Sequence, residues 1–314
     1  MNNLLVSVCC ITFNHEKYII DCINGFLNQN VNFDVEFLIH DDASTDKTQD
    51  IIKEMVGDDP RFNLILRSTN IKSLGKAIFP ILYEKARGKY IALCEGDDYW
   101  TDPLKLQKQV DFLEANPDHG ICFHKVNLIH PDGSITDDTI TSVPESYQTN
   151  KDLASKGNYI HTPSVIFRRD CLIIPEEAYL SPIGDFFLYM VISRNRKIGY
   201  LQEVMGVYRV GSGIWSSQSD YERNIKTAYT FALLIKTKLF SKDVESILVQ
   251  RIITTIKRFS NNISPKDLEK LSIDKAISLK IYDFLLAEIE KQKQRINQPF
   301  KKQIKNYIKA KLKL

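Results

Sequence analysis

Three short clusters of carboxylates are the residues of this chain best equipped for chemistry. They are His40-Asp41-Asp42-Ala43-Ser44-Thr45-Asp46, Glu95-Gly96-Asp97-Asp98-Tyr99-Trp100 and Ile183-Gly184-Asp185. Adjacent carboxylates repel unless a cation or a donor sits between them. Hard oxygen ligands without clustered His or Cys suit Mg2+ or Mn2+ rather than zinc. Such an ion commonly bridges protein carboxylates to the oxygens of a diphosphate. Each cluster also has a plainer reading: Asp42 or Ser44 as a helix cap, Asp97-Asp98 as a loop pair, Gly184-Asp185 as a turn with an N-cap. Their conjunction favours a site. The glycine-rich phosphate loops are missing, since no G-x-G-x-x-G follows the first apolar run and no G-x-x-x-x-G-K-[ST] occurs. That run ends in Thr12-Phe13-Asn14-His15. A diphosphate held there needs a metal more than a glycine cradle.

The elements that must position these clusters alternate along the first 130 residues. Apolar, strand-length runs lie at 4–13, 35–40, 62–67, 89–94 and 120–129, with helix patterns near 16–29, 46–56, 75–86 and 103–116. Asp102 reads as the N-cap of the last helix, with Pro103 at its first position. Strands alternating with helices of this length predict βαβ units in a mostly parallel sheet flanked by helices. Such sheets bind ligands beyond the carboxyl ends of their strands, where the first two clusters fall. Pro131-Asp132-Gly133 reads as a turn. Residues 140–182 look irregular, a helix resumes near 185–194, and a strand follows near 199–210. From 218 onward the chain reads as helices alone, with breaks near Ser241, Ser264-Pro265, Ser272 and Pro299. The expected division is 1–217 and an all-helical 218–314.

With 314 residues, 43% of them hydrophobic, the chain can bury one large core or a catalytic domain with an appendage. No run approaches the roughly 20 apolar residues that cross a bilayer, and 4–11 reads as a buried strand rather than a signal peptide. The six cysteines are scattered without a C-x-x-C pair and read as reduced, which points to the cytoplasm. The net charge of +3 hides an asymmetry: residues 291–314 carry nine Lys or Arg and no acid, leaving 33 basic against 39 acidic residues before them. An acidic body with a basic tail excludes a general nucleic-acid binder. It suits peripheral contact with an anionic membrane, for Phe300, Ile304, Tyr307, Ile308 and Leu312 recur at helical spacing among Lys301, Lys302, Lys305 and Lys309. Packing on the chain's own acidic body is the other reading.

In their order along the chain these motifs resemble the family 2 glycosyltransferases, inverting enzymes of the A-type glycosyltransferase fold. Thr12-Phe13-Asn14 is similar to the family's T-Y-N opening and Asp41-Asp42-Ala43-Ser44-Thr45-Asp46 to its D-D-G-S-T-D segment. The run Gly88-Lys89-Tyr90-Ile91 through Glu95-Gly96-Asp97-Asp98 resembles the strand leading into the D-x-D motif. Ile183-Gly184-Asp185 resembles the catalytic-base motif, and Val207-Tyr208-Arg209-Val210 with Ile214-Trp215-Ser216 the closing segment. The resemblance covers about residues 3–217. It implies that Thr12 and Asn14 line a nucleotide pocket, that Asp42 bonds the base, that Asp97 and Asp98 hold ribose and metal, and that Asp185 is the general base. It also sets His161 in the acceptor region, against the plainer reading of a satisfied structural His. Trp100 and Trp215 either floor the sugar pocket or lie in the core, and Lys76 either reaches phosphate or is solvated. Two departures stand out. Glu95 replaces the first acid of D-x-D, which leaves its donor contact open, and Gly211 stands where many relatives carry His.

The function implied is transfer of a sugar from a nucleotide-sugar donor, a UDP-sugar, to a glycan or lipid-linked glycan hydroxyl, with Mn2+ or Mg2+. Two rivals are a sugar nucleotidyltransferase, which calls for a glycine-rich phosphate loop after the first strand, and a non-catalytic glycan- or nucleotide-binding protein. Intact Asp97, Asp98 and Asp185 speak against the second.

Overall fold

The computed structural model describes residues 4–74, 77–138, 148–211 and 218–261. The chain runs through β1 (Leu4–Thr12), α1 (Ile19–Leu27), β2 (Asp34–Asp41), α2 (Thr48–Val56), β3 (Phe62–Leu66), α3 (Phe79–Lys85) and β4 (Tyr90–Leu93). It continues with β5 (Tyr99–Trp100), α4 (Lys105–Ala115), β6 (His119–Ile129), β7 (Ile135–Asp137) and α5 (Asn150–Lys156). β8 (Ile166–Arg168), α6 (Gly184–Ile192), β9 (Lys197–Arg209), α7 (Asp220–Lys236) and α8 (Lys242–Asn261) complete it.

β1 shows why the first run is almost wholly apolar; its one polar residue before Thr12, Ser7, is buried and donates to Glu36 Oε1 at 2.6 Å. Val6, Val8 and Cys10 join one buried cluster with Ile19, Cys22, Ile23 and Phe26 of α1, while Cys9 joins a second with Leu82 and Tyr83 of α3. A strand covered on both faces cannot alternate with polar residues. The α1 residues fall at i, i+3, i+4 and i+7, a single stripe turned to the sheet.

β1 pairs in parallel with both β2 and β4, and β2 with β3. The chain thus moves outward through β2 and β3, then returns to set β4 on the far side of β1. Strand order reverses there, the place where sheets of this kind bind ligands, beyond the carboxyl ends of their strands. Past β4 the sheet becomes mixed, in the order β3-β2-β1-β4-β8-β6-β9-β5. β8 is antiparallel to β4 and β6, β6 and β9 are parallel, and β5 is antiparallel to β9. β7 hairpins onto β6 across the Pro131-Asp132-Gly133 turn, where Gly133 has φ +83°.

Two local expectations shift. Helix α4 begins at Lys105, because Asp102 closes a turn ahead of it: its Oδ1 accepts from Leu104 N–H at 2.8 Å and its Oδ2 from Lys108 Nζ at 2.8 Å. The stretch that reads as irregular holds α5, started by a Thr149/Asp152 capping box, and the short β8. Further on, Phe231 and Leu234 of α7 and Leu248 and Ile252 of α8 share one buried cluster with Phe186, Phe187 and Tyr189 of α6. No helix among the described residues is long and apolar enough to cross a membrane. Lys76, Trp215 and the basic segment beyond residue 291 lie outside the described residues.

The core carries one costly group. Lys105 is fully buried, its Nζ has no hydrogen-bond partner, and it lies 3.9 Å from the centroid of the Trp100 ring. Burial pulls its ammonium down to about 7. The unfolded chain therefore holds one more proton than the folded one between about pH 7 and the ordinary Lys value, and stability rises with pH across that window. The slope is about 1.4 kcal/mol per pH unit. Lys105→Met keeps the length of the stem and removes the charge. Its melting temperature should exceed the parent's most at pH 6, with the gain shrinking toward pH 10. A gain independent of pH would show that Lys105 is not charged on unfolding alone.

Candidate active site

The acidic loop after β4 is built into the crevice from both sides. Cys94 N–H donates to Cys9 O and Gly96 N–H to Ile11 O at 3.0 Å, so the loop continues the pairing with β1. A Cβ at Gly96 would stand 2.5 Å from Thr12 Oγ1, which confines this position to glycine. On the other side, β9 ends against the loop: Arg209 N–H donates to Asp98 Oδ1 at 2.8 Å and Arg209 Nε to Asp97 O at 2.9 Å. The Arg209 guanidinium also lies 4.1 Å above the Tyr18 ring.

Glu95, Asp97 and Asp98 each offer a carboxylate oxygen within 4.8 Å of the others. Asp97 and Asp98 are buried, and Asp98 Oδ2 has no hydrogen-bond partner. Burial drives the Asp98 carboxyl well up, helped by the charges of Asp97, Cys94 and Glu95. The Glu95 side chain still reaches solvent, yet its carboxyl is also pushed up, first by desolvation in the cleft and then by Asp97 and Asp185. An orphaned buried oxygen within an all-oxygen, mutually repelling set is what a hard divalent cation satisfies. The residues fit Mg2+ or Mn2+.

The ends of β1 and β2 form the neighbouring wall. Thr12 is buried, with its Oγ1 3.1 Å from His15 Nδ1 and its carbonyl accepting from Asp42 N–H. Asn14 takes φ +56°, receives Thr45 N–H on Oδ1 at 2.8 Å and donates its own N–H to Ser44 Oγ. Ser44 Oγ donates in turn to Asp41 Oδ2. Ala43 has φ +63°, a left-handed conformation that costs a side-chain-bearing residue about 1 kcal/mol and explains a glycine at the matching place in D-D-G-S. Asp42 does not cap α2. Its two oxygens accept from Ile71 N–H at 2.8 Å and Lys72 N–H at 3.0 Å, tying the loop after β3 to the crevice.

Across the cleft, Asp185 occupies the first turn of α6. Its Oδ2 accepts from Asn158 Nδ2 at 2.7 Å. Burial raises its carboxyl above the usual range, against the pull of Phe186 N–H, the Asn158 amide and His161. A helix N-terminus favours an ionised carboxylate, but burial is the larger effect here and works the other way. His161 Nε2 lies 2.9 Å from Oδ2 of buried Asp138, and its ring meets Tyr208 with centroids 4.5 Å apart. The Tyr208 hydroxyl is raised by burial and then by the charges of Asp98, Glu95, Asp97 and Asp185, so one phenol feels all four acids.

Thr12, Asn14, Asp42, Glu95, Asp97 and Asp98 therefore gather at the strand-order reversal, and Asp185 and His161 face them. Trp100 does not. It is 4% exposed, packs edge-on against Phe26 at 4.9 Å and donates its indole N–H to Pro163 O, so it belongs to the core rather than to a sugar-binding floor. Sequence reading passes over His15, whose Nε2 lies 3.9 Å from Asp97 Oδ2 and whose imidazole burial pulls below its ordinary value. It also passes over Asn158. The only signal for His15 is its place one residue after Asn14. Gly211 takes φ +87°, and a Cβ there would lie 3.3 Å from Pro131, which disfavours a His at this position.

The family model described as glycosyl transferase family 2 matches residues 7–172. An uncharacterized protein of Mycobacterium tuberculosis is 42% identical over 214 residues, covering 68% of this chain and 61% of the relative. The alignment thus spans less than two thirds of that longer protein. Among solved structures, Staphylococcus aureus TarS 1–349 in complex with UDP-GlcNAc aligns with a TM-score of 0.61 at 19% identity, over 84% of this chain and 78% of that one. The mannosyltransferase PcManGT of Pyrobaculum calidifontis, in complex with GDP-Man and Mn2+, aligns with a TM-score of 0.51 at 14% identity, over 92% and 87%. At these identities the structures share the fold.

Proposed function

This chain belongs to glycosyl transferase family 2, and from that premise we propose that it transfers one sugar, with inversion, from a UDP-sugar to a hydroxyl of a glycan or lipid-linked glycan. The observation that carries the reading is the opposition of two acidic centres in one cleft. Glu95, Asp97 and Asp98 stand at the end of β4, Asp185 stands apart from them at the start of α6, and the Tyr208 hydroxyl feels the charge of both groups. A non-catalytic binder has no use for a second, half-buried carboxylate set apart from the first three.

In this mechanism Thr12, Asn14 and Asp42 frame the nucleotide. Asp97 and Asp98, with Glu95, hold a divalent cation that, when bound, takes up charge on the departing diphosphate. Asp185 removes the proton from the acceptor hydroxyl as its oxygen bonds to the anomeric carbon from the opposite face. The bond from that carbon to the diphosphate oxygen breaks, and its electron pair leaves with the nucleotide. Arg209 keeps the acidic loop in place through Asp98 Oδ1 and Asp97 O.

A panel of nucleotide sugars, read as Mn2+-dependent thermal stabilisation, tests the donor assignment. A bound donor at about 100 times its Kd stabilises by about 2.7 kcal/mol. UDP-sugars should raise the melting temperature and GDP-sugars should not; the reverse pattern removes the uridine assignment. The basic segment 291–314 is proposed to hold the chain on an anionic membrane surface, at about 1 kcal/mol for each Lys or Arg near it. Full-length chain should sediment with anionic liposomes and a chain ending at Asn297 should not. Equal sedimentation of both assigns the tail no such role.

A further inference from the structure

We infer that Arg251 of α8 is a positioning residue for Asp185, acting through the Gly157–Asn158 turn, so that the C-terminal helices set the geometry of the acceptor side. This rests on the reading of Asp185 as the base.

The chain of contacts begins at the carboxylate. Asn158 Nδ2 donates to Asp185 Oδ2 at 2.7 Å, while Asn158 Oδ1 accepts from Ile160 N–H at 3.2 Å. With its oxygen engaged by a backbone donor, the amide can present only its NH2 group to Asp185. It therefore fixes the orientation of one carboxylate oxygen.

Asn158 is itself exposed, so its own packing does not hold it. Its place is set by Gly157, which closes α5 with φ +96°. Helix α5 has seven residues, too short to be stable without support from its neighbours. Arg251 supplies that support. Its Nη1 donates to Ala154 O at 3.1 Å and to Ser155 O at 2.9 Å, the last-turn carbonyls of α5. A guanidinium is well suited to this place, being a planar fork of donors and a cation at the negative end of a helix. A Cβ added at Gly157 would lie 3.3 Å from Arg251 Nη2, so the guanidinium lies directly against the turn.

The same side chain supports the other partner. Arg251 lies 5.0 Å from the centroid of the Phe231 ring of α7, and Phe231 packs on Phe186, the residue after Asp185, at 5.7 Å. Thr230 of α7 meets Ser181 Oγ at 3.3 Å, and that hydroxyl bonds Ile183 O just ahead of α6. The C-terminal helices thus brace both the donor and the acceptor of the Asn158–Asp185 hydrogen bond.

The test is a double-mutant cycle on sugar transfer, with donor Kd measured by calorimetry and a melt recorded for each variant. Asn158→Ala should lower kcat by about 10–100-fold, the effect of losing a hydrogen bond to a charged group. Arg251→Met should lower kcat by about fivefold to tenfold in the parent and by less than twofold in the Asn158→Ala background, since residues acting through one contact do not add. Donor Kd should stay unchanged throughout. If Arg251→Met melts below the assay temperature, Arg251→Lys takes its place, with a smaller loss and the same non-additivity. An equal loss in both backgrounds, or no loss in the parent, overturns the inference. Near-parental transfer by Asp185→Asn would instead remove the base reading itself, a separate result.

Discussion

Replacing Asp185 with Asn should lower sugar transfer by about 10²–10⁴-fold, the usual contribution of a positioned base, and should leave donor and cation affinity close to the parent's. That factor corresponds to roughly 3–5 kcal/mol of barrier. A sugar hydroxyl is far too weak an acid to ionise unaided, so attack needs a proton acceptor on the side away from the diphosphate. Asp185 meets that need from the first turn of α6, with one oxygen held by Asn158. Burial raises its carboxyl, which makes it a stronger base than an exposed aspartate. Because only the ionised form accepts a proton, transfer should fall as pH drops through this raised value, an acid limb above the ordinary Asp range. Asn keeps the size and one acceptor oxygen, so the melting temperature should change little. If the role were structural, Asp185→Asn would lower melting temperature and donor affinity together. Near-parental transfer by the variant places the base elsewhere.

Much of this site is legible in the sequence because motif and strand end coincide. β1, β2 and β4 are mostly apolar toward their carboxyl ends, and the polar residues that close them are the motif residues themselves: Thr12, Asp41-Asp42 and Glu95 through Asp98. The other half is less legible. β5 and β8 have two and three residues, too few to show a period, and exist because β9 and β6 offer partners for them. Trp100 reads equally well as pocket floor or core, and only its contacts with Phe26 and Pro163 decide. The capping boxes at Thr149 and Ser219 go unread in the sequence, and Asp102 misleads because its side chain closes a turn one step before the helix. Asn158 and Arg251 carry no local signal at all. Their meaning depends on contacts across 27 and 96 or more positions of chain, which no spacing rule encodes.

Removing the divalent cation should abolish transfer, and substitutions at Asp97 and Asp98 should respond differently to its removal. Dialysis against EDTA is expected to lower turnover by roughly 10²–10³-fold, several kcal/mol of lost stabilisation of the leaving group, with recovery on adding Mn2+. Full turnover by the metal-free protein would sink this reading. Asp97→Asn gives the sharper result. Without a cation, Glu95, Asp97 and Asp98 crowd negative charge into one cleft, and their mutual repulsion contributes to the raised Glu95 and Asp98 carboxyls. Removing one charge then relieves the others, so metal-free Asp97→Asn should be more stable than the parent by on the order of 1 kcal/mol. With Mn2+ and UDP present the order should reverse, because the variant loses a charged ligand that the parent uses, and stabilisation by binding follows affinity. Asp98 should behave differently. Its Oδ1 holds Arg209 N–H and so anchors β9 to the acidic loop. Asp98→Ala leaves that donor without its partner and should lower the melting temperature in both conditions, in addition to abolishing transfer. A melt that ranks Asp97→Asn below the parent even without metal would mean that the cluster is held together by protein hydrogen bonds rather than poised for a cation.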